Sequence, residues 1–215
     1  MIQALIFDLD GTLLNTLQDL TNACNFALVE LGLPLRKKEE VQLMIGNGKH
    51  KLIERILPKG YEALHDIALK YYDSYYPVNM LKETRPYEGI EELLKSAKEK
   101  GIKLGVVTNK SDNFAQKMMN HYFPGIFDVI LGGDNGRPLK PDPQSLNELI
   151  EKIETDRENI LYIGDSDVDI ITGRNAGVKT CGVTWGYRSE EVILKEKPDH
   201  IAHNRKELGE IIYAE

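Results

Sequence analysis

The sequence predicts an α/β protein whose core is a parallel sheet with helices on both faces, and three observations support this class. Short, continuous apolar runs recur along the chain, and each ends in polar or glycine-rich residues. Runs of this kind suit strands that are buried on both faces. Amphipathic helical stretches separate the runs from about residue 87 onward, and a purely helical stretch precedes them. Such alternation of strands and helices is typical of a Rossmann-like sheet.

The first predicted strand covers residues 4–7 and stops at Asp8. Four later runs repeat its pattern, and they are LGVVTN from Leu104, VILGGD from Val129, NILYIGD from Asn159 and TCGVTW from Thr180. Apolar residues at helical spacing lie between these runs, and two such sets are Ile90, Leu93, Leu94 and Ala97, and Leu146, Leu149, Ile150 and Ile153. Because ligands bind at the carboxyl ends of parallel strands, we expect the functional residues there.

Residues 15–82 show helical patterns only. The first helix is predicted to open with a capping box formed by Thr16 and Asp19, and it stops near Gly32 and Pro34. Three further helices are predicted over residues 37–44, 49–57 and 62–75.

These patterns predict two domains. Residues 1–14 and 83–215 would form the α/β core, and residues 15–82 would form a small, all-helical cap inserted after the first strand. An insertion that follows the carboxyl end of a strand lies over the edge where the functional residues collect, so the cap is a candidate lid.

The composition limits the partners of the chain. It has 215 residues, and its 27 Lys and Arg against 34 Asp and Glu give a net charge of −7, which argues against nucleic acid. The two cysteines, Cys24 and Cys181, lie outside any CxxC pair, so we expect free thiols in a reducing cytoplasm. The N-terminus reads as neither a signal peptide nor an anchor, and no apolar run is long enough to span a bilayer, so we expect no membrane partner.

Four groups of polar residues follow the predicted strands, and they are Asp8 with Asp10, Thr108 with Asn109, Lys140, and Asp165 with Ser166, Asp167 and Asp169. Paired carboxylates repel one another unless a cation or a shared proton intervenes, and oxygen-rich clusters suit Mg²⁺. Hydroxyl and N–H groups at a strand–helix junction can bind phosphate. Taken singly, each group also has an ordinary structural interpretation as a turn, a helix cap, a solvated lysine or an acidic first helical turn.

In their order, these groups lie within motifs that resemble the four motifs of the haloacid dehalogenase-like (HAD) hydrolase superfamily. The motifs are DLDGT from Asp8, TNK from Thr108, KP from Lys140 and GDSDVD from Gly164. The resemblance covers nearly the whole chain, and the helical insertion stands where this superfamily places its smaller cap. The sequences IGNG from Ile45 and TWGY from Thr184 are similar to the phosphoglycolate phosphatase-like branch.

The resemblance implies a role for each motif position. Asp8 would be the nucleophile and form an aspartyl-phosphate, and Asp10 would protonate the leaving group and then take a proton from the attacking water. Thr108 and Lys140 would hold the transferring phosphoryl group, with Asn109 as a further phosphate contact.

The resemblance also implies a Mg²⁺ site. Asp8, Asp165 and the main-chain carbonyl of Asp10 would be its ligands, with Asp169 nearby and acting indirectly. Ser166 would lie near the phosphate or the metal.

The predicted cap contributes a second group of candidates, namely Gly46, Asn47, Gly48 and Lys49. If this loop faces the cleft, its N–H groups and lysine would bind a small anionic leaving group. The alternative is the first turn of a helix with a solvated lysine.

We therefore expect a Mg²⁺-dependent phosphatase that hydrolyses a small organic phosphate monoester, with 2-phosphoglycolate as the first candidate. A phosphosugar mutase resembling β-phosphoglucomutase or a pyrophosphatase on the same scaffold is the enzymatic alternative. A phosphoacceptor or binding protein without enzymatic activity is the other alternative. The expected partner is a small phosphorylated metabolite, and the expected assembly is a monomer or a homodimer.

Overall fold

A six-stranded parallel sheet is the centre of the fold in the computed structural model, which describes residues 1–134 and 136–214. The described strands are β1 (Ala4–Phe7), β2 (Leu14–Asn15), β3 (Arg85–Pro86), β4 (Lys103–Ser111), β5 (Val129–Gly133), β6 (Ile160–Gly164), β7 (Lys179–Val183) and β8 (His200–Ala202). The six strands of the main sheet have the order β5-β4-β1-β6-β7-β8, and all neighbours in it are parallel. The predicted α/β class is confirmed.

Strand β1 lies between β4 and β6. Its last residue, Phe7, pairs with Val106 on one side and with Ile163 on the other. Because the three strands are parallel and in this register, the residues that follow Phe7, Val106 and Ile163 meet at one edge of the sheet. This edge is where the sequence places its polar groups.

Helices cover both faces of the sheet. The described α-helices are α1 (Leu17–Glu30), α2 (Lys38–Met44), α3 (Gly48–Ile56), α4 (His65–Asn79), α5 (Ile90–Glu99), α6 (Asp112–Tyr122), α7 (Gln144–Ile153), α8 (Asp167–Ala176), α9 (Glu190–Lys195) and α10 (Arg205–Ala214). Side chains of β1 alternate between two hydrophobic clusters. Leu5 and Phe7 join the cluster that contains α5, whereas Ala4 and Ile6 join the cluster that contains α7.

The helices α1 to α4 follow one another between β2 and β3, as the helical pattern of this stretch predicts. Strands β2 and β3 form a separate antiparallel pair, in which Leu14 lies opposite Pro86 and Asn15 opposite Arg85. This pair holds together the two chain segments that connect the main sheet to the helical insertion. The sequence pattern does not predict this pair, because two-residue strands are too short to show a periodicity. Strand β8 was also missed.

The predicted capping box at the start of α1 is wrong. The Thr16 side chain makes no cap hydrogen bond, and its Oγ1 instead donates to Asp10 Oδ1 at 2.6 Å. The buried Asp19 carboxylate accepts hydrogen bonds from the main-chain N–H groups of Glu83 and Thr84. Both polar side chains therefore tie α1 to the crossings between the insertion and the sheet.

Cys24 and Cys181 are buried free thiols. None of the helices in the described ranges is both long and apolar enough to cross a membrane.

Candidate active site

The structure brings the predicted residues of five distant chain segments to one cavity of about 60 Å³ at the carboxyl edge of the sheet. Predicted residues in its lining are Asp8, Asp10, Gly46, Gly48, Lys49, Thr108, Asn109, Lys140, Asp165 and Ser166. Asn47 and Asp169 are not among the lining residues. The adjacency of β4, β1 and β6 explains how Asp8, Thr108 and Asp165 converge, because each strand carries one of them at or near its carboxyl end. Lys140 reaches the cavity from the loop between β5 and α7.

Three buried carboxylates cluster beside this cavity. One oxygen from each of Asp8, Asp165 and Asp169 lies within 4.8 Å of the others. Burial raises the pKa of Asp8 to about 6 against the opposing charge of Lys140, and Asp169 adds to the rise. Burial, followed by repulsion from Asp169 and Asp8, raises the pKa of Asp165 to about 8. Three ionised carboxylates in this cluster would therefore repel one another strongly, and a bound cation would relieve that repulsion.

Asp8 keeps an oxygen that is poorly satisfied by the protein. Lys140 Nζ lies 2.8 Å from Asp8 Oδ1, but this ion pair lacks hydrogen-bond geometry, and the buried oxygen has no hydrogen-bond partner in the described part of the chain. An orphaned buried carboxylate oxygen beside two further carboxylates fits a hard divalent cation, which prefers oxygen ligands.

Lys140 holds a central position between the carboxylates. Its Nζ lies 2.7 Å from Asp169 Oδ1, 3.1 Å from the Tyr162 hydroxyl and 3.2 Å from the Val107 carbonyl oxygen. Burial by itself lowers the pKa of Lys140, but Asp169 and Asp8 outweigh it and hold the pKa well above its usual value. The ammonium group therefore stays charged.

Both carboxylate oxygens of Asp169 accept hydrogen bonds from other protein groups. Oδ1 accepts from Lys140 and from the Tyr162 hydroxyl, and Oδ2 accepts from the Ser166 N–H and Oγ–H. Ser166 in turn caps α8. Asp169 thus links the start of α8 to Lys140, and this arrangement suits an indirect influence on a cation.

Asp165 is fixed from two sides. Its Oδ1 accepts from Thr12 Oγ1 at 3.0 Å, and its Oδ2 accepts from the Tyr187 N–H at 2.6 Å. Glycines make room for it, because a Cβ on Gly11 or on Gly186 would lie 2.4 Å or less from atoms of Asp165. Gly11 also has a φ of +90°, which favours glycine. The sequence motifs contain Thr12 and Tyr187, but nothing in the pattern assigns them to Asp165.

Asp10 lies apart from the three-carboxylate cluster. Its Oδ1 accepts from Thr16 Oγ1, and Lys110 Nζ lies 3.0 Å from Oδ1 and 3.1 Å from Oδ2. The Tyr187 hydroxyl supports Thr16, since it accepts from the Thr16 N–H at 2.8 Å and lies 3.0 Å from Thr16 Oγ1. Lys110 was not predicted as a site residue, although it stands in the TNK motif.

Thr108 and Asn109 occupy different environments. Thr108 Oγ1 accepts from the Lys110 N–H at 3.3 Å and faces the cavity region with 5% exposure of the residue. Asn109 Oδ1 accepts from the Lys140 N–H at 2.7 Å, and its Nδ2 donates to the carbonyl oxygens of Lys140 and Gly46. The Asn109 side chain is therefore used to join the lysine loop to the helical insertion.

The helical insertion closes one side of the cavity. Lys49 Nζ lies 3.2 Å from Asp73 Oδ2 and 3.7 Å from Asp134 Oδ2, so its charge is already shared between the insertion and the sheet. Arg188, which no sequence motif indicated, donates to the carbonyl oxygens of Gln42 and Ile45. An apolar wall completes the lining, and it consists of Leu20, Ile45, Leu52, Tyr72, Tyr76 and Phe114.

Buried carboxylates and a charged lysine at the carboxyl edge of a parallel sheet, next to a helical insertion, are the features of a HAD-type hydrolase that the motifs predict. Comparison with known families agrees. The family model described as haloacid dehalogenase-like hydrolase matches residues 5–183. The chain belongs to this family of hydrolases.

Individual relatives confirm the predicted branch and the phosphatase class. The chain is 33% identical to the phosphoglycolate phosphatase of Vibrio parahaemolyticus, over 98% of this chain and 96% of that protein. A crystal structure from Lactobacillus delbrueckii subsp. bulgaricus has a TM-score of 0.93 and 31% identity, and 99% of each chain is covered. CbbY from Rhodobacter sphaeroides, solved in complex with phosphate, has a TM-score of 0.75 and 25% identity over 97% of both chains.

Proposed function

We propose that this protein is a Mg²⁺-dependent phosphatase that hydrolyses a small phosphate monoester through an aspartyl-phosphate, with 2-phosphoglycolate as the first candidate substrate. The observation that carries the proposal is the position of Asp8. Its buried Oδ1 accepts no hydrogen bond of regular geometry from the described residues and lies 2.8 Å from Lys140 Nζ, in a cavity that Thr108 and Asp165 also line. The names of the relatives support the same substrate.

The charges of the site support a divalent cation. Asp8, Asp165 and Asp169 offer three carboxylates within 4.8 Å, and Lys140 is the ammonium group that contacts Asp8 and Asp169. Asp8, Asp165 and the main-chain carbonyl of Asp10 would hold Mg²⁺, with Asp169 acting through its neighbours. When bound, the ion would neutralise charge between the nucleophile and the phosphoryl oxygens.

In the first step, an oxygen of Asp8 attacks phosphorus and the bond between phosphorus and the leaving oxygen breaks. Lys140 and Thr108 hold the phosphoryl oxygens, and Asp10 gives its proton to the leaving oxygen. In the second step, water attacks phosphorus, the bond to Asp8 breaks and Asp10 takes a proton from that water. A covalent intermediate divides one difficult displacement into two. Proton transfer of this kind contributes ~100- to 10,000-fold.

We also propose residues 15–82 as the cap domain and the loop from Gly46 to Lys49 as its contribution to substrate binding. Gly46, Gly48 and Lys49 line the cavity, which supports this role. A cavity of about 60 Å³ favours a small leaving group. The proposed partner is therefore a small phosphorylated metabolite.

The test is a phosphate-release assay on a panel of small phosphomonoesters with and without Mg²⁺. We expect the wild-type protein to hydrolyse at least one ester and Asp8→Asn to remove this activity. Asp156→Asn is the matched control, because Asp156 is exposed and lies outside the cavity lining. Near-full, Mg²⁺-dependent turnover by Asp8→Asn would contradict the assignment of the nucleophile. Sugar 1-phosphate and pyrophosphate in the same panel separate the mutase and pyrophosphatase alternatives.

A further inference from the structure

Lys110 is a second buried lysine in the cavity lining, and it does not belong to the carboxylate cluster around Lys140. Its side chain is 4% exposed, and its Nζ lies 3.0 and 3.1 Å from the two oxygens of Asp10. The same ammonium group lies 4.9 Å from the centre of the Tyr76 ring, on the helical insertion. Its position is therefore defined by one carboxylate and one aromatic face.

The contacts of Asp10 show what Lys110 controls. Oδ1 accepts from Thr16 as well as Lys110, whereas Oδ2 has Lys110 as its only donor in the described ranges. A carboxylate held by two different donors on one oxygen cannot rotate without breaking a charge-assisted hydrogen bond. The two donors also come from different chain segments, since Thr16 precedes α1 and Lys110 lies in β4.

We propose that Lys110 is a positioning residue for Asp10 and that it acts on the reaction through this carboxylate without contacting the substrate. This inference rests on the proposed phosphatase activity. Lys110 holds Asp10 in one orientation for both proton transfers, which are donation to the leaving oxygen and acceptance from the attacking water. Lys110 itself neither gains nor loses a proton in either step.

The test compares Lys110→Met with Asp10→Asn on an alkyl monoester and on p-nitrophenyl phosphate. Misplacing a reacting group costs about 100-fold, so we expect Lys110→Met to lower kcat on the alkyl ester by about that factor with little change in KM. The p-nitrophenolate leaving group needs no proton, whereas the water that attacks in the second step must still give a proton to Asp10. Lys110→Met should therefore release p-nitrophenol in a burst of one equivalent per enzyme, followed by slow turnover.

The double variant separates positioning from substrate binding. If Lys110 acts through Asp10, adding Lys110→Met to Asp10→Asn causes no further loss of kcat. An unchanged kcat with a raised KM, or an equal loss in both backgrounds, would show a direct substrate contact and overturn the proposal. A loss of kcat that only tracks the folded fraction, measured by circular dichroism, would overturn it as well.

Lys95→Met is the control, because Lys95 is an exposed lysine on α5 that pairs with Glu91. It should leave all these readouts unchanged. If the wild-type protein hydrolyses no ester, the proposed function is wrong. If the wild type and Lys110→Met are both fully active and Asp10→Asn is impaired, only the inference about Lys110 is wrong.

Discussion

Lys140 Nζ lies 2.7 Å from Asp169 Oδ1, and the two side chains are 3% and 1% exposed. The same ammonium group lies 2.8 Å from Asp8. Asp169 thus holds the lysine beside Asp8, while Ser166 and Tyr162 hold Asp169. A buried ion pair of this kind is costly to break, because each charge loses its partner without regaining water.

Asp169→Asn should therefore destabilise the protein. We expect the free energy of unfolding to fall by about 3 kcal/mol, because Lys140 keeps its charge and loses its closest counter-charge. Urea unfolding followed by circular dichroism measures the change, and the exposed Asp156→Asn is the control. An unchanged unfolding midpoint would show that the pair contributes nothing to stability.

Gly186→Ala should impair metal binding with little effect on the rest of the fold. A Cβ at this position would lie 2.2 Å from Asp165 Cβ and 2.3 Å from its Oδ2, so Asp165 must move. We expect Mg²⁺ to raise the melting temperature of the wild type, and we expect this rise to shrink or vanish in Gly186→Ala.

Gly209→Ala is the control for Gly186→Ala, because here the added Cβ causes no clash. Its nearest neighbour would be a Leu93 side-chain atom 3.7 Å away, which is an ordinary contact distance. Gly209 lies in α10, where alanine is favoured over glycine by up to about 1 kcal/mol. Gly209→Ala should keep the full response to Mg²⁺. An unaltered response in Gly186→Ala would mean that Asp165 is not a ligand.

The stabilisation by a divalent cation should grow with pH. The folded-state pKa values of Asp8 and Asp165, about 6 and about 8, lie above their ordinary value of 3.8. The metal-free folded protein therefore binds more protons than the unfolded chain between these values, and its stability falls as the pH rises from about 4 to about 8. A cation replaces these protons.

We expect the gain in melting temperature on adding Mg²⁺ over chelator to be larger near pH ~8.5 than near pH ~5. Scanning calorimetry or dye-based thermal unfolding measures it at constant ionic strength. The pH dependence of the gain should weaken in Asp165→Asn. Equal gains at both pH values would contradict the assignment of these carboxylates.

Arg188→Ala should loosen the contact between the helical insertion and the sheet. Arg188 donates to the carbonyl oxygens of Gln42 at 3.0 Å and Ile45 at 2.5 Å, just before the cavity-lining Gly46. We expect faster amide hydrogen exchange in the segment that follows α2, together with a lower kcat/KM.

Arg174→Ala is the matched control for Arg188→Ala, because Arg174 also donates to a carbonyl oxygen, that of Glu196, but outside the cavity lining. In Arg174→Ala, amide hydrogen exchange should become faster only near α9. Unchanged exchange near Ile45 in Arg188→Ala would show that the other contacts of the insertion suffice.

Local patterns in the sequence were enough to predict the strands β1, β4, β5, β6 and β7, the helical insertion and the family motifs. They also predicted Asp8, Thr108, Lys140 and Asp165 as site residues, and the structure brings these four to one cavity, although Lys140 lies in the loop between β5 and α7 and not at a strand end. This works because burial imposes a periodicity on neighbouring residues, and because parallel strands place their carboxyl ends together.

The partner of each polar side chain was decided only by the tertiary structure. Lys110 and Asp10 are 100 positions apart, and they meet because β4 lies next to β1. Thr16 matched the pattern of a helix cap, yet its hydroxyl bonds to Asp10. Gly186 carries no local signal for its contact with Asp165. Periodicity describes which face a residue presents, whereas its partner depends on strand order and on the paths of loops that are distant in sequence.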